Sequence, residues 1–183
     1  MIYHLSLQTT GLAAGILLLA THAAALLNPE GAMRFAKALP RSRAMATILL
    51  AAAAVWAFVM VRDLDLGEFS RLRGMMLLAI VAGAILSWLY VEELLAARAL
   101  GMLLLLAAEP LLESAVLRNE ASRLLLTVLA YLWATAGLFF VGMPYVLRDL
   151  IGWFTANPLR WKVSCLGGIV YGAALIACAA LWW

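Results

Sequence analysis

The fold is decided by residues 74–117, which read GMMLLAIVAGAILSWLYVEELLAARALGMLLLLAAEPLLESAVL. This apolar stretch is interrupted only by five charged residues and one proline, namely Glu92, Glu93, Arg98, Glu109, Pro110 and Glu113. A single helix of this length would exceed about 60 Å, roughly twice the thickness of the hydrocarbon core of a bilayer. The stretch must therefore turn back on itself if it lies in a membrane.

The position of that turn separates two topologies. We predict one span over 74–91 and a second over 95–116, with the turn between Val91 and Gly101 although no proline marks it. The alternative is a protein of five spans in which residues 91–113 form a re-entrant or interfacial segment. Hydropathy predicts further spans on either side of this pair. Together they are 5–27, 44–61, 74–91, 95–116, 123–146 and 163–183.

Composition agrees with a membrane protein. Hydrophobic residues make up 67% of the chain and charged residues only 13%, whereas a soluble domain carries about 25% charge. The apolar run 5–27 has no Lys or Arg before it, so we interpret it as a retained first helix rather than a signal peptide. The sequence predicts an all-α, polytopic transmembrane helical bundle that forms a single domain over 1–183.

Basic residues predict the orientation. Alternate loops hold eight of the thirteen Lys and Arg residues, and such loops usually face the cytoplasm. We therefore expect a multi-pass protein of a bacterial-type inner membrane with both termini outside. Short amphipathic segments, Met33–Leu39 and Tyr145–Phe154, would lie among the head groups. The eight basic residues are Arg34, Lys37, Arg41, Arg43, Arg98, Arg148, Arg160 and Lys162.

Glycines spaced four residues apart predict where two helices pack. The first predicted helix carries Gly11 and Gly15, and the last carries Gly168 and Gly172. Such pairs form a flat groove that lets another helix approach closely and gain dispersion contacts. We expect these four glycines to lie in helix contacts, between the first and last helices or with another subunit.

Charge within the fourth predicted span gives the candidate polar site. Arg98, Glu109 and Glu113 fall on one stripe of a helix, and Pro110 removes a backbone donor beside Glu109. Ionisable groups inside a span often mark the path of an ion or substrate. The competing interpretation places Arg98 and Glu113 at opposite membrane surfaces, with Glu109 shallowly buried.

Residues for other chemistry are scarce. His4 and His22 would stand about 27 Å apart on one helix, too far to share a haem or metal. Cys165 and Cys178 are about 20 Å apart on another helix, so they cannot pair. No catalytic motif is present, and we expect no catalytic residue, metal or cofactor. Tryptophans are expected to lie mostly near span ends, as interfacial anchors.

Three function classes follow from these observations. We favour a non-enzymatic accessory, assembly or structural membrane component that acts by helix packing with partners. The alternative is a small transporter or substrate-binding permease subunit that uses the polar stripe on the fourth span. An enzyme acting on lipid is the least favoured. The expected partners are the lipid bilayer and other membrane protein subunits, and nucleic acid is not expected because the basic residues sit in loops between apolar spans.

Overall fold

A computed structural model describes residues 3, 5–91, 93–116, 118 and 120–183. These residues form helices without strands, and six of the helices are long and apolar enough to cross a membrane. The prediction of an all-α bundle of six spans is confirmed. The α-helices are α1 (Leu7–Leu27), α2 (Pro29–Ala38), α3 (Arg43–Asp63), α4 (Arg73–Tyr90), α5 (Leu95–Ala115), α6 (Arg123–Gly142), α7 (Tyr145–Thr155) and α8 (Pro158–Leu181). Short 3-10 segments cover Leu39–Arg41 and Gly67–Leu72.

Side-chain caps fix where several helices begin. Ser6 accepts a hydrogen bond from the Thr9 amide at 3.1 Å and so caps α1. Asn28 does the same for α2, and Ser42 for α3. At the start of α8, Asn157 accepts from the Leu159 amide at 2.8 Å. Each cap satisfies an amide that the first turn of a helix leaves without an intrahelical partner.

The turn between α4 and α5 occupies residues 91–94, of which Glu92 lies outside the described part. Leu94 adopts a left-handed conformation with φ of 54°, which costs a non-glycine residue about 1–2 kcal/mol. From Leu95 the chain runs as one helix to Ala115, through Pro110. The five-span alternative, with a re-entrant or interfacial segment over 91–113, is therefore wrong, because that segment contains most of a membrane-crossing helix.

Helix α5 is the centre of the bundle and the most buried of the six spans. It packs antiparallel against α6, where Gly101 meets Gly137. On another side, Ala96 and Ala99 pack against Ala46 and Leu50 of α3. Small side chains at both contacts let the helices approach closely, which is how helices associate where lipid is as apolar as the protein.

Helices α1 and α8 form the second close antiparallel pair. A Cβ on Gly15 would lie 2.9 Å from the carbonyl oxygen of Gly172, and one on Gly172 would lie 2.8 Å from that of Gly15. Gly11 faces the ring of Trp183, and Gly168 faces the ring of His22. The structure thus places all four glycines of the two Gly-x-x-x-Gly pairs in the contact between the first and last helices.

The two ends of the bundle differ. One end, called here the basic end, carries α2, α7, the 3-10 segment Leu39–Arg41 and the turn between α4 and α5. The opposite end carries the start of α1, the last residues of α8 and the loops that follow α3 and α5. Helices α2 and α7 contact each other at the basic end, and they cover most of the two segments expected to lie among the head groups.

Helix α4 stands at the edge of the bundle. None of its residues is buried, and its main helix partner is α3. Large apolar side chains such as Leu78, Val81 and Ile85 face outward. Their surroundings in a membrane would be lipid or another protein.

Candidate functional site

Arg98 lies in the first turn of α5, at the basic end. Its Nη1 atom donates a hydrogen bond of 3.0 Å to the carbonyl oxygen of Val141, in the last turn of α6. A cation at this position complements the carbonyl groups that a helix C-terminus leaves unpaired. The Nε atom of Arg98 is buried and has no hydrogen-bond partner in the described part of the chain. Arg98 thus joins α5 to α6.

Glu113 lies near the other end of α5 and accepts hydrogen bonds from the N-terminal segment. The Tyr3 amide donates to both oxygens of this carboxylate, at 3.3 Å and 3.2 Å. The Tyr3 hydroxyl accepts a hydrogen bond of 2.7 Å from the indole of Trp56 in α3. Tyr3 therefore links α3 to α5 by hydrogen bonds at the end of the bundle opposite the basic end.

The environment of the Tyr3 hydroxyl changes its acidity. Burial raises its pKa above the ordinary value, and the hydrogen bond from Trp56 acts in the opposite direction. The carboxylates of Glu109 and Glu113 raise the pKa further, because a phenolate beside them would be repelled. The hydroxyl therefore stays protonated at neutral pH.

Glu109 lies one turn before Glu113, and the structure brings these two carboxylates together near Tyr3. Among the described residues, none donates a hydrogen bond to Glu109, which is half-buried. Arg98 is about 16 Å away along the axis of α5 and belongs to the other end of the bundle. The three residues of the predicted stripe share a helix but do not converge on one cavity.

A cleft of about 510 Å³ opens between α1, α3, α5 and α6. Its lining is apolar except for Thr9, Thr10 and the hydrogen-bonded pair Tyr3 and Trp56. Trp133 of α6 also lines it. The expectation that tryptophans lie mostly near span ends does not extend to Trp56 and Trp133, which are well inside their helices and fill space within the bundle.

A groove of about 430 Å³ separates α4 from α5, with α3 as its floor. Small residues dominate this groove, and a Cβ added to Gly83 would meet nothing within 4 Å. This groove was not predicted from the sequence, although the four-residue spacing of Ala53 with Ala57 and of Ala79 with Gly83 was the available signal. The groove residues on α3 and α4 include Ala53, Ala54, Ala57, Ala79, Gly83 and Ser87.

The histidine and cysteine side chains are placed in packing roles. The Nδ1 atom of His22 is 2.8 Å from the carbonyl oxygen of Leu18, and its ring rests on Gly168. Cys165 and Cys178 are separate buried thiols. Within the described residues there is no group of three His, Cys, Asp or Glu side chains that could hold a metal ion. His4 lies outside those residues.

Comparisons with protein-family models, with curated proteins and with solved structures found no match for this chain. Its class therefore follows from its own helices. Six long apolar helices fit a multi-pass integral membrane protein.

Proposed function

We propose that this protein is a non-enzymatic accessory, assembly or structural component of a membrane, and that it acts by packing against a transmembrane helix of another membrane protein. One observation carries the proposal. Helix α4 has no buried residue, yet its small residues Ala79, Gly83 and Ser87 border an open groove with α3 and α5.

The chemistry of the groove favours a helix as its occupant. Lipid tails are flexible and can pack against a protein surface of any shape, so a row of small side chains gives them few additional dispersion contacts. A second helix gains from it, because Ala57 and Gly83 allow its backbone to come close and make dispersion contacts. Ser87 supplies a hydroxyl for an interhelical hydrogen bond at the end of the groove nearer the basic end.

The transporter alternative has less support. A transport site is expected near the middle of the membrane, with polar groups that converge on a cavity. Here Arg98 is hydrogen-bonded to the last turn of α6, and Glu113 is hydrogen-bonded to Tyr3 at the opposite end of the bundle. The two charged groups therefore do not converge on one cavity. Glu109 beside Pro110 is the feature that still favours transport, and it stands near Glu113 rather than near the middle of α5.

We further propose that the basic end is cytoplasmic, that both termini are outside, and that the membrane is of the bacterial inner-membrane type. Eight of the thirteen basic residues belong to the basic end. The amphipathic helices α2 and α7 would place Arg34, Lys37 and Arg148 among the head groups of the cytoplasmic leaflet.

Site-specific photo-crosslinking in native membranes tests the partner. A photoreactive side chain at Gly83 should give a discrete adduct with a second membrane protein, because position 83 faces the groove. The matched control is Ile85, which lies on the opposite face of α4 and is 54% exposed. It should label lipid only. Equal patterns at positions 83 and 85, or an adduct with a second copy of this chain alone, would contradict the proposal.

A further inference from the structure

The basic end contains a polar recess that the proposed function does not use. Its volume is about 430 Å³, and its lining comes from three distant parts of the sequence. Arg41 belongs to the 3-10 segment before α3, Glu93 and Leu94 to the turn between α4 and α5, and Arg148 to α7.

Apolar packing beneath the recess holds these segments together. Leu39 and Leu94 pack against a buried cluster that includes Ala97 and Leu147. Leu39 and Arg41 flank Pro40, which is itself buried. The backbone that carries the two arginines is therefore anchored in the core, although the arginine side chains are exposed.

The two guanidinium groups have donors to offer. Within the described part of the chain, no residue accepts a hydrogen bond from Arg41. The Nε and Nη2 atoms of Arg148 are each 2.9 Å from one oxygen of Asp149, which leaves its Nη1 atom for another acceptor. Arginine presents its N–H groups in a planar fork that matches the oxygens of a phosphate group.

The positive charge that surrounds the recess favours an anion. Two arginines and one carboxylate line it, and Asp149 beside Arg148 brings the summed charge of these four side chains to zero, so the positive excess comes from the surrounding basic end. Over the whole basic end the sequence places eight basic residues against four acidic ones, a balance of +4. The four acidic residues are Glu30, Glu92, Glu93 and Asp149.

We propose that this recess binds the phosphate group of an anionic lipid head group. The surroundings favour a lipid over free phosphate, since Phe35 of α2 and Leu150 and Trp153 of α7 are 55%, 42% and 53% exposed at this end. Interfacial helices bury such side chains among acyl chains. Basic pockets between transmembrane helices at the cytoplasmic surface are known binding places for anionic head groups.

Native mass spectrometry of the detergent-solubilised protein with synthetic phosphatidylglycerol tests the proposal. Arg41→Gln and Arg148→Gln should each weaken binding by about fivefold, the effect expected of one basic residue near a charged head group. Asp149→Asn should strengthen binding, because it frees the Nε and Nη2 atoms of Arg148. Phosphatidylcholine should not displace the bound lipid.

The matched control is the double variant Lys37→Gln with Lys162→Gln, which removes as much charge from the basic end without touching the recess. It should keep most of the binding that Arg41→Gln with Arg148→Gln loses. Equal losses in the two double variants would overturn the proposal in favour of diffuse attraction by the whole basic end. Inorganic phosphate that binds as tightly as phosphatidylglycerol would overturn the assignment to a lipid. Thermal melting of every variant identifies any that fails to fold. If the arginine variants do not fold, Asp149→Asn tests the proposal instead, because weaker or unchanged binding of phosphatidylglycerol in this variant would overturn it.

Discussion

Gly101 and Gly137 face each other where α5 crosses α6, each against the carbonyl oxygen of the other. A Cβ on either would lie 2.8 Å from that oxygen, a distance that real Cβ atoms do not adopt. The central helix of the bundle is therefore fixed to its closest neighbour by backbone contact, and Arg98 adds a hydrogen bond to Val141 beside the crossing.

Alanine at position 101 should test this contact. Gly101→Ala is expected to destabilise the protein by about 1–3 kcal/mol, because the new methyl group overpacks a rigid backbone. In an exposed part of a helix the same change would stabilise by up to about 1 kcal/mol. Gly167→Ala in α8 is the matched control, since nothing lies within 4 Å of a Cβ there. Thermal melting in detergent should show opposite signs, and equal shifts would contradict the close crossing.

The contact between α1 and α8 gives a second comparison within one helix. Gly172→Leu should lower the melting temperature strongly, because Gly15 and the Leu19 amide lie against position 172. Gly167→Leu on the same helix should change it little. If the two leucine variants melt together, the close approach of α1 and α8 does not contribute to stability.

Tyr3 predicts a change in stability at alkaline pH. Because the folded pKa of Tyr3 is raised above its ordinary value of 10.0, the folded state keeps a proton that the unfolded chain has begun to lose. The stability that the protonated hydroxyl contributes is therefore complete below pH 10.0 and is lost as pH rises through the folded pKa. Melting curves should show a steeper alkaline fall for the wild type than for Tyr3→Phe. Parallel curves would mean that the Tyr3 hydroxyl is not buried against Glu109 and Glu113.

The sequence predicted the spans well where hydropathy alone decides them. The predicted limits 74–91 and 95–116 lie within one residue of those of α4 and α5, because lipid-facing helices must be apolar throughout. Errors appeared where a local cap, rather than hydropathy, sets the limit. The predicted span 163–183 begins five residues too late, since Asn157 caps α8 before a start that carries the charges of Arg160 and Lys162.

Side-chain partners were harder to predict than spans. Gly101 and Gly137 belong to no Gly-x-x-x-Gly pair, so their pairing follows only from the way α5 and α6 meet. The hydrogen bond from Trp56 to Tyr3 depends on a segment that precedes the first helix, and no periodicity in the sequence indicates this contact. The charges of Arg98 and Glu113 were visible in the sequence, but their separate attachments to Val141 and Tyr3 were not.

Orientation in the membrane can be measured directly. With both termini outside, a reporter that is active only outside the cytoplasm should work when fused after Trp183. A cytoplasmic reporter should work when inserted between Asn157 and Pro158, where α7 gives way to α8. The reverse pattern would place the basic end outside and would show that the eight basic residues do not determine the orientation.

We propose that the groove beside α4 holds a helix of another membrane protein. The decisive measurement is the size of the complex extracted gently from native membranes, compared between wild type and Gly83→Leu. Leucine fills the groove but meets no atom of this chain within 4 Å at its Cβ, so the variant should fold and melt as the wild type does. We predict that the wild type migrates with its partner, that Gly83→Leu migrates alone, and that Ile85→Ala on the opposite face behaves as wild type. A wild-type protein that carries only lipid and detergent, or a Gly83→Leu variant that keeps the same partner, would show that the groove does not hold a partner helix.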